Sequence, residues 1–436
     1  MTKREGLLFL ESLDDYGIKL GLDKIRHLLH ALGDPQKQYP SVLIAGTNGK
    51  GSVAKFLSEI CTAAGYRTAL YTSPHLLSVQ ERIQIHNRPI SLSRLNQICQ
   101  TLQKKIQRFP LELQPTYFEA LTAAAFLFFA EERVDILICE VGMGGRFDAT
   151  NVLASEISVI MPVSMDHTRF LGSTLEEIAH EKAGIIKKGK PLICGHQQKA
   201  AKEVIAENAA HQKAEMLQYP KDFYVRALCK CSLNGQILQV YCSRGKTFRN
   251  LPIRMIGFHQ AHNCSVAIQT ALLISEKILP ISDAALRAGA MRAQWPGRFQ
   301  VLPGSVPFIL DGAHNEAGVK TLLATIDRCF PGQKLPMLVG ILNDKDARVM
   351  IRLLAKKASR FFFVSPDTPR ALSTEELIRL GQKEAPKIPA DEVFSLEQGL
   401  VALGNSFDNQ SAGIICGSLY LAGDVLRLLG RKGRKQ

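Results

Sequence analysis

Long apolar runs are missing from this sequence of 436 residues. The most apolar stretch, residues 120–130, falls well short of the roughly 20 residues that a membrane-spanning helix needs. The apolar residues 7–10 are too few for the core of a secretion signal, and acidic residues follow them at once. We therefore expect a cytoplasmic protein with no membrane partner.

Zinc-type cysteine patterns and clusters of aromatic and basic residues are also missing. The ten cysteines are irregularly spaced, and the close pair Cys229 and Cys231 has no second pair nearby to complete a zinc site. The formal net charge is +14, but the chain has a single tryptophan and no alternation of aromatic with basic residues. We expect reduced, packed thiols and no nucleic-acid partner, with a positive charge that favours solubility and attracts small anions.

Apolar strand-like runs alternate with helical segments through the first half of the chain. Candidate strands and the helices between them are residues 42–45, 53–64, 68–72, 92–108, 118–132, 135–139, 157–162 and 192–194. This alternation is typical of a doubly wound, mostly parallel α/β sheet. Ligands of such sheets bind at the carboxyl ends of the strands, so the residues that follow each strand are the first candidates for a site.

The pattern changes near residue 223, and a second α/β series follows. Residues 223–250 predict a small antiparallel addition, and the Trp-Pro-Gly cluster at 294–298 predicts a domain junction. Beyond it, further strands are predicted at residues 308–310, 337–341, 360–364 and 413–416. We therefore predict a P-loop ATPase-type domain over residues 1–295 and a smaller Rossmann-like α/β domain over residues 296–436, which ends in a basic tail.

A glycine-rich loop between the first strand and a helix is the most informative feature. It consists of Gly46, Thr47, Asn48, Gly49, Lys50, Gly51 and Ser52. The backbone N–H groups of such a loop converge on phosphate oxygens, and Lys50 can reach the β- and γ-phosphates. A regular P-loop has Ser or Thr directly after the lysine, whereas here the hydroxyl comes one place later, at Ser52.

Polar side chains follow three other predicted strands. Glu140 comes after residues 135–139, where a carboxylate opposite a phosphate loop suits Mg²⁺. Ser73 and His167 come after two further strands and could add ligands. Lys182 lies on a helical stretch and is either an ordinary solvated lysine or a carbamylated metal ligand, because a protonated ammonium cannot bind Mg²⁺.

These segments, in this order, resemble the Mur ligase superfamily and, within it, the folylpolyglutamate synthase/dihydrofolate synthase family in its bifunctional bacterial form. The resemblance covers about residues 18–425 and rests on residues 46–52, 72–76, 140–151, 166–168, 181–184, 296–298, 311–315 and 417–418. It implies ATP binding by Thr47, Asn48, Gly49, Lys50, Gly51, Ser52, Asn263, Arg298, Asp311 and His314. It also implies that Ser73, Glu140, His167 and carbamylated Lys182 bind Mg²⁺. The metal would be one ion or two, and a monovalent cation could bind as well.

Lys50, His167 and Lys182 are then the implied catalytic residues. The implied dihydropteroate contacts are Lys19, Leu20, Gly21, Thr116, Tyr117, Phe118, Glu119, Phe147, Asp148 and Ala149. Bacterial members of the family have an acidic residue at the position of Lys19, so a backbone contact is the one expected there. Tyr117 and Phe118 could instead be ordinary core aromatics.

The implied reaction is the ATP-dependent addition of L-glutamate to dihydropteroate and to reduced folates through an acyl phosphate, by a monomer. A folylpolyglutamate synthase with one activity and another Mur-type amino-acid ligase are the alternatives among enzymes. A cell-wall ligase predicts a UDP-binding domain before the loop, where this sequence has 45 residues. A regulatory P-loop switch predicts a hydroxyl directly after the loop lysine, and a basic nucleic-acid binder is the most distant alternative.

Overall fold

The computed structural model describes residues 5–13, 21–227, 232–304, 307–406 and 412–432. The chain divides into two compact units. The first consists of Met1–Arg226, Gln239–Leu251 and His262–Ala293, and the second of Ala227–Leu238, Pro252–Ala261 and Gln294–Gln436. The second unit thus takes in two short earlier segments, and a domain boundary at residue 295 stays a prediction.

Helices and strands alternate through most of the described residues. The helices are α1 (Glu5–Ser12), α2 (Asp23–Ala31), α3 (Lys50–Ala63), α4 (Leu92–Ile106), α5 (Tyr117–Glu131), α6 (Thr168–Leu171), α7 (Leu175–Ala183), α8 (Lys199–His211), α9 (Phe258–Lys277), α10 (Asp283–Arg292), α11 (Glu316–Cys329), α12 (Ala347–Leu354), α13 (Thr374–Glu384), α14 (Leu396–Gly404) and α15 (Leu419–Lys432). None of the helices within these residues is long and apolar enough to cross a membrane.

The strands belong to three sheets. They are β1 (Ser41–Ala45), β2 (Thr68–Tyr71), β3 (Ile83–Ile85), β4 (Arg88–Pro89), β5 (Ile136–Glu140), β6 (Ile157–Ile160), β7 (Leu192–Cys194), β8 (Met216–Gln218), β9 (Tyr224–Ala227), β10 (Gln236–Tyr241), β11 (Thr247–Ile253), β12 (Gln300–Leu302), β13 (Phe308–Leu310), β14 (Leu335–Val339), β15 (Ala358–Phe363), β16 (Ala390–Glu392) and β17 (Gly413–Cys416). Several predicted bounds were wrong by a few residues: Glu140 is the last residue of β5 rather than the first after it, β14 and β15 each begin two residues earlier than expected, and α3 begins three residues earlier.

The first unit contains an eight-stranded sheet in the order β4-β3-β2-β5-β1-β6-β7-β8. All pairs from β2 to β8 are parallel, and β3 and β4 are added antiparallel at one edge. Every residue of β1, β2, β5 and β6 is buried. Apolar side chains on both faces are what a central parallel strand covered by helices requires. The predicted doubly wound α/β class is confirmed.

The apolar stretch at residues 120–130 is a buried helix of the first unit. It forms most of α5, whose side chains join the core cluster around the sheet. Thr116 caps α5 and exchanges hydrogen bonds with Glu119 in a capping box. A helix that is apolar on all sides belongs in a core, which is where the structure has it.

The second unit has a six-stranded mixed sheet in the order β12-β13-β17-β14-β15-β16. The pairs from β13 to β16 are parallel, and β12 runs antiparallel to β13. A third sheet has the order β11-β10-β9 and covers the region where the sequence predicts a small addition.

Candidate active site

Four neighbouring strands of the large sheet bring their carboxyl ends to one edge. In the order β2-β5-β1-β6 these strands are parallel, so the segments that follow them are adjacent. The segments carry Ser73, Glu140, the loop that starts at Gly46, and His167. The sheet thereby brings together predicted residues that are up to 121 positions apart in the sequence, from Gly46 to His167.

Gly46 and Gly49 are required by the backbone of the phosphate loop. Their φ angles are 144° and 91°, in the region that favours glycine. A Cβ atom on Gly46 would lie 2.6 Å from the Cβ atom of Met161. Gly49 is the residue before α3, so the first N–H groups of that helix and its positive end follow the loop directly.

Thr47 ties the loop to the segment that follows β6. Its hydroxyl donates to the carbonyl oxygen of Ser164 at 3.1 Å and accepts the N–H of Ser164 at 3.0 Å. The N–H of Thr47 donates to the carbonyl oxygen of Pro162 at 2.9 Å. These three bonds fix the distance between the loop and the strand end that carries Asp166 and His167.

Two lysines meet at one carbonyl oxygen of the loop. The Nζ atoms of Lys50 and Lys182 each lie 3.0 Å from the carbonyl oxygen of Gly46. Lys50 also lies 4.0 Å from Oε1 of Glu140, a carboxylate that is 5% exposed. A buried carboxylate and two basic side chains around a phosphate loop form a strongly polar centre.

Burial, together with the positive charge of Lys50, lowers the pKa of Lys182 to about 7. Asp166, Asp148 and Glu181 oppose the shift through their negative charge. The Lys182 side chain is therefore largely neutral slightly above pH 7. A neutral amine is the form that adds CO₂ to give a carbamate, so the environment of Lys182 suits that modification.

Oxygen ligands for a metal ion are available at Glu140 and Ser73. The N–H of Ser73 donates to Oε2 of Glu140 at 3.3 Å, which brings the Ser73 hydroxyl to the same strand edge. The described residues contain no group of three or more His, Cys, Asp or Glu side chains that could hold a metal. A hydroxyl, a carboxylate and a carbamate oxygen would fit Mg²⁺, whereas an unmodified Lys182 would not.

His167 is the residue before α6 and has a left-handed backbone, at φ 51°. Its Nε2 atom lies 4.0 Å from Oδ1 of Asp166, and its side chain is 43% exposed. The residue lies at the carboxyl end of β6, beside the strand that precedes the phosphate loop. Its metal-binding role stays a prediction.

The glycines after β5 hold Lys182 in place through backbone contact. A Cβ atom on Gly145 would lie 2.6 Å from the carbonyl oxygen of Glu181 and 2.9 Å from Cα of Lys182. The N–H of Arg146 donates to the same carbonyl oxygen at 2.8 Å. The loop and α7 therefore touch backbone to backbone, which only a residue without a side chain allows.

The predicted dihydropteroate residues form two groups in the described chain. A Cβ atom on Gly142 would lie 2.5 Å from Cζ of Phe118 and 3.1 Å from Oδ2 of Asp148, so the start of α5 packs on the loop after β5. Phe147 is 42% exposed, and Ala149 is buried. Lys19 and Leu20 lie outside the described residues.

The polar members of these two groups already have partners within the protein. Asp148 accepts hydrogen bonds from the N–H groups of Met143 and Thr150. Burial raises the pKa of Asp148, and these hydrogen bonds oppose the rise. Oε2 of Glu119 accepts from both the N–H and the hydroxyl of Thr116, at 2.8 Å each. Thr116, Glu119 and Asp148 therefore shape the backbone, and a substrate role for them stays a prediction.

Asn263 lies against the phosphate loop. A Cβ atom on Gly49 would lie 2.8 Å from Oδ1 of Asn263, which is buried on α9. Gly51 and Ser52 lie in the first turn of α3, and Ser52 is also buried. The structure thus brings Asn263 to the loop across more than 200 residues of sequence.

Three predicted nucleotide contacts lie together within the second unit. Asp311 accepts the N–H groups of Phe299 and Ala313 at 2.8 and 2.9 Å. A Cβ atom on Gly312 would lie 2.5 Å from Nη1 of Arg298, and Nδ1 of His314 lies 2.8 Å from the carbonyl oxygen of Gly312. Burial raises the pKa of Asp311, and the charge of Arg298 opposes that rise.

One polar residue near the site was missed in the sequence. Nε of Arg82 donates to Nδ1 of His75 at 2.9 Å, and the guanidinium lies 6.0 Å from the centre of the Tyr117 ring. Burial lowers the pKa of His75 to about 4, and Arg82 contributes to this, so His75 is the neutral acceptor. Arg82 belongs to none of the quoted motifs, and only the folding of its loop reveals the contact.

The phosphate loop, the neighbouring carboxylate and the buried lysine define an ATP-dependent ligase of the Mur type, and comparison with known proteins agrees. The Mur ligase middle domain model matches residues 44–271, and the model of the Mur ligase glutamate ligase domain matches residues 297–418. A dihydrofolate synthase/folylpolyglutamate synthase of Bacillus subtilis is 35% identical, over 95% of this chain and 96% of that protein.

Two further relatives give the same result. A folylpolyglutamate synthase of Lacticaseibacillus casei is 34% identical over 94% of both chains. The solved structure of Mycobacterium tuberculosis folylpolyglutamate synthase complexed with ADP has a TM-score of 0.89 and 31% identity, and the match covers 98% of this chain and 99% of that one. The chain therefore belongs to the dihydrofolate synthase/folylpolyglutamate synthase family of Mur ligases.

Proposed function

We propose that the protein is a cytoplasmic, monomeric ligase that uses ATP and Mg²⁺ to add L-glutamate to dihydropteroate and to reduced folates. The observation that carries the proposal is that Lys50 and Lys182 meet at the Gly46 carbonyl oxygen at one sheet edge, with the Glu140 carboxylate 4.0 Å from Lys50. The M. tuberculosis relative was solved with ADP, which supports a nucleotide on this fold.

The phosphate loop would hold the triphosphate of ATP. The backbone of Asn48 and Gly49 supplies N–H groups, followed by the start of α3, and Lys50 supplies positive charge. Thr47, whose N–H already donates to the carbonyl oxygen of Pro162, fixes the shape of the loop around the phosphates. Asn263 lies against Gly49 and is proposed to contact the adenine side of the nucleotide. Arg298, Asp311 and His314 are proposed as further ATP contacts.

Ser73, Glu140, His167 and carbamylated Lys182 are proposed to hold the metal. Mg²⁺, when bound, would neutralise charge on the phosphate oxygens. The Ser73 N–H orients the Glu140 carboxylate, and the loop after β5 fixes the backbone of Lys182. These contacts set the positions of the oxygen donors before any ligand binds.

The chemistry requires activation of a carboxylate. A carboxylate oxygen of the acceptor attacks the γ-phosphorus of ATP, which forms an acyl phosphate and releases ADP. The amine of glutamate then attacks the acyl carbon, a proton leaves the nitrogen, and phosphate departs as an amide forms. Lys50 would stabilise the charge on the transferring phosphoryl group, and the remaining residues act by positioning.

The acceptor would bind beside the start of α5 and the loop after β5. Tyr117, Phe118 and Phe147 offer aromatic surface for a pterin or aminobenzoyl ring, and part of that surface is exposed. Gly21 and Ala149 are proposed to contribute backbone contacts. The net charge of +14 would attract polyanionic folates.

The experiment that tests the proposal measures ATP hydrolysis and glutamate addition with Mg²⁺ and glutamate. Dihydropteroate, tetrahydrofolate or neither is added, and mass spectrometry follows the products. Stimulation by both acceptors, with an added glutamate on each, is expected. The variant Lys50→Ala serves as the inactive control.

Stimulation by tetrahydrofolate alone would reduce the protein to a folylpolyglutamate synthase, the name carried by the L. casei relative at 34% identity. The B. subtilis relative, whose name includes both activities, supports the dual reading. No stimulation by either acceptor would contradict the proposed substrates and direct attention to other acids used by Mur-type ligases.

A further inference from the structure

The segment from Ser73 to Arg82 is a closed loop at the end of β2. The N–H of Thr72 donates to the carbonyl oxygen of Arg82 at 3.1 Å, which joins the two ends of the loop. The carboxylate of Glu81 accepts the N–H groups of residues 76, 77 and 78 at 2.9 to 3.0 Å. The backbone around Arg82 is therefore fixed by hydrogen bonds and not by contacts of its own side chain.

The Arg82 side chain turns back across this loop. Its Nε donates to Nδ1 of His75 at 2.9 Å, and its guanidinium carbon lies 6.0 Å from the centre of the Tyr117 ring. Within the described residues no carboxylate forms an ion pair with Arg82. The terminal Nη atoms, which form the fork that suits a carboxylate, are left without a protein acceptor in that part of the chain.

This fork lies between the two halves of the candidate site. On one side His75 is two residues beyond Ser73, whose N–H binds Glu140. On the other side Tyr117 starts α5, where Phe118 packs on the loop after β5. The Nε of Arg82 is fixed by a hydrogen bond, and its terminal nitrogens are open. Because this arginine lies between the phosphate-binding residues and the aromatic residues of the site, it suits an acid that has a ring at one end and a reacting carboxylate at the other.

We infer that the terminal nitrogens of Arg82 bind the carboxylate of the acceptor substrate and orient it toward the phosphate loop. The inference rests on the proposed function, because it takes the acceptor to be an aromatic acid of the pteroate type. For dihydropteroate this carboxylate is the reacting group. Nε and His75 hold the guanidinium plane, and the ring of Tyr117 covers one side of it.

The test compares two ligands that differ only in charge at this position. Dihydropteroate and its carboxamide are titrated into the protein with ADP and Mg²⁺, and the dissociation constants are measured by fluorescence. The proteins compared are the wild type, Arg82→Gln, Arg82→Lys and the control Arg88→Gln. Arg88 is an exposed arginine on β4. Far-ultraviolet circular dichroism and melting temperatures check that each variant is folded.

We expect the wild type to bind the carboxylate about 10- to 100-fold more tightly than the carboxamide, as is usual for a charge-assisted, forked contact. Arg82→Gln should lose this preference while its affinity for the carboxamide stays within about 3-fold of the wild type. Arg82→Lys should keep a part of it, and Arg88→Gln all of it. In turnover assays the KM for dihydropteroate should rise in Arg82→Gln, with no change in the KM for ATP.

Retention of the full preference in Arg82→Gln would overturn the inference, and so would a rise in the KM for ATP with no rise for the acceptor. A general loss of affinity for both ligands would assign a structural role to Arg82 and would also overturn it. Failure of the proposed function looks different, because the wild type would then bind neither ligand and would add no glutamate to dihydropteroate.

Discussion

Lys182 is the residue whose chemistry depends most on its surroundings. An exposed lysine is an ammonium at neutral pH, but burial and the charge of Lys50 bring the pKa of Lys182 to about 7. Its Nζ lies at the carbonyl oxygen of Gly46, which Lys50 also contacts. A carbamate on Lys182 would place a negative charge beside Lys50 and would supply the metal with oxygen.

The substitution Lys182→Ala should abolish turnover, because it removes the carbamate oxygens proposed to bind the metal. Short carboxylic acids should partly restore activity by entering the space that the side chain leaves. Turnover with and without acetate or propionate measures this, and Lys188→Ala, on the exposed turn after α7, is the control. Full activity in Lys182→Ala would exclude a carbamate role.

The charge of Glu140 should matter more than its shape. Glu140→Gln keeps the acceptor for the Ser73 N–H but removes the negative charge that faces Lys50 and a metal ion. We expect the Mg²⁺ concentration for half-maximal activity to rise by at least the 10- to 100-fold typical for loss of a partner near a metal. Glu156→Gln, which breaks a pair with Lys190 at the opposite, amino ends of β6 and β7, is the control and should leave the Mg²⁺ dependence unchanged.

Among the elements, the contact between the loop after β5 and α7 decides where Lys182 lies. Gly145 and Gly184 each face backbone atoms from the other side: a Cβ atom on Gly184 would lie 2.7 Å from Cα of Arg146. Asn151 adds a side-chain bond to the carbonyl oxygens of Arg146 and Gly184, at 2.9 and 3.1 Å. Two elements that touch in this way move only together.

Gly145→Ala should push α7 away from the loop, since the new methyl group would meet backbone atoms that cannot turn aside. We expect a loss of about 1–3 kcal/mol of unfolding free energy, as for overpacking of a core, together with a fall in kcat. Urea denaturation and steady-state kinetics measure the two effects. If Gly145→Ala had the wild-type unfolding free energy and the wild-type kcat, the loop and α7 could move apart without loss of stability or activity.

A glycine with free space around it provides the matched control. Apart from its chain neighbours and the backbone of its own helix α15, no atom of the described residues lies within 4 Å of a Cβ placed on Gly430. Gly430→Ala should leave activity unchanged and stabilise the chain by about 0.5–1 kcal/mol, because alanine loses less backbone entropy in a helix.

At the scale of the whole molecule, acid should destabilise the fold through buried neutral histidines. His75 in the first unit and His259 in the second both have their pKa lowered to about 4, in each case first by burial and then by a nearby arginine. For His259 that arginine is Arg298, and Nδ1 of His259 has no hydrogen-bond partner among the described residues. Neither ring can take up a proton without a cost to the folded state.

The free energy of unfolding should therefore fall as the pH is lowered from about 6.5 to about 4. In that interval the unfolded chain binds protons on these histidines and the folded chain does not, so acid favours unfolding; above about 6.5 neither state binds them. The loss should be at most a few kcal/mol per histidine, since one pKa unit corresponds to about 1.4 kcal/mol.

Urea denaturation at pH 7.5 and pH 5 measures this loss. His259→Gln should show a smaller difference between the two pH values than the wild type, because one of the two titrating rings is gone. An equal difference in the variant and the wild type would mean that His259 takes up its proton in the folded state as readily as in the unfolded one.

The sequence by itself determined the class of the fold, the phosphate loop and the family. Alternation of apolar strands with helices predicts a doubly wound sheet, because strands covered on both faces must be apolar throughout. Gly46, Gly49 and Lys50 are recognisable because the chemistry of phosphate binding uses consecutive residues. The motifs around Glu140 and Lys182 are recognisable for the same reason, since each is short and continuous.

Only the tertiary structure decided which of these segments meet and what state their side chains take. The strand order β2-β5-β1-β6 is not sequential, so the approach of Ser73, Glu140 and the loop follows from sheet pairing that no local pattern specifies. The pKa of Lys182 and the open fork of Arg82 depend on burial and on partners far along the chain. Electrostatic energies are set by distance in space and by exclusion of water, and a sequence alone gives neither.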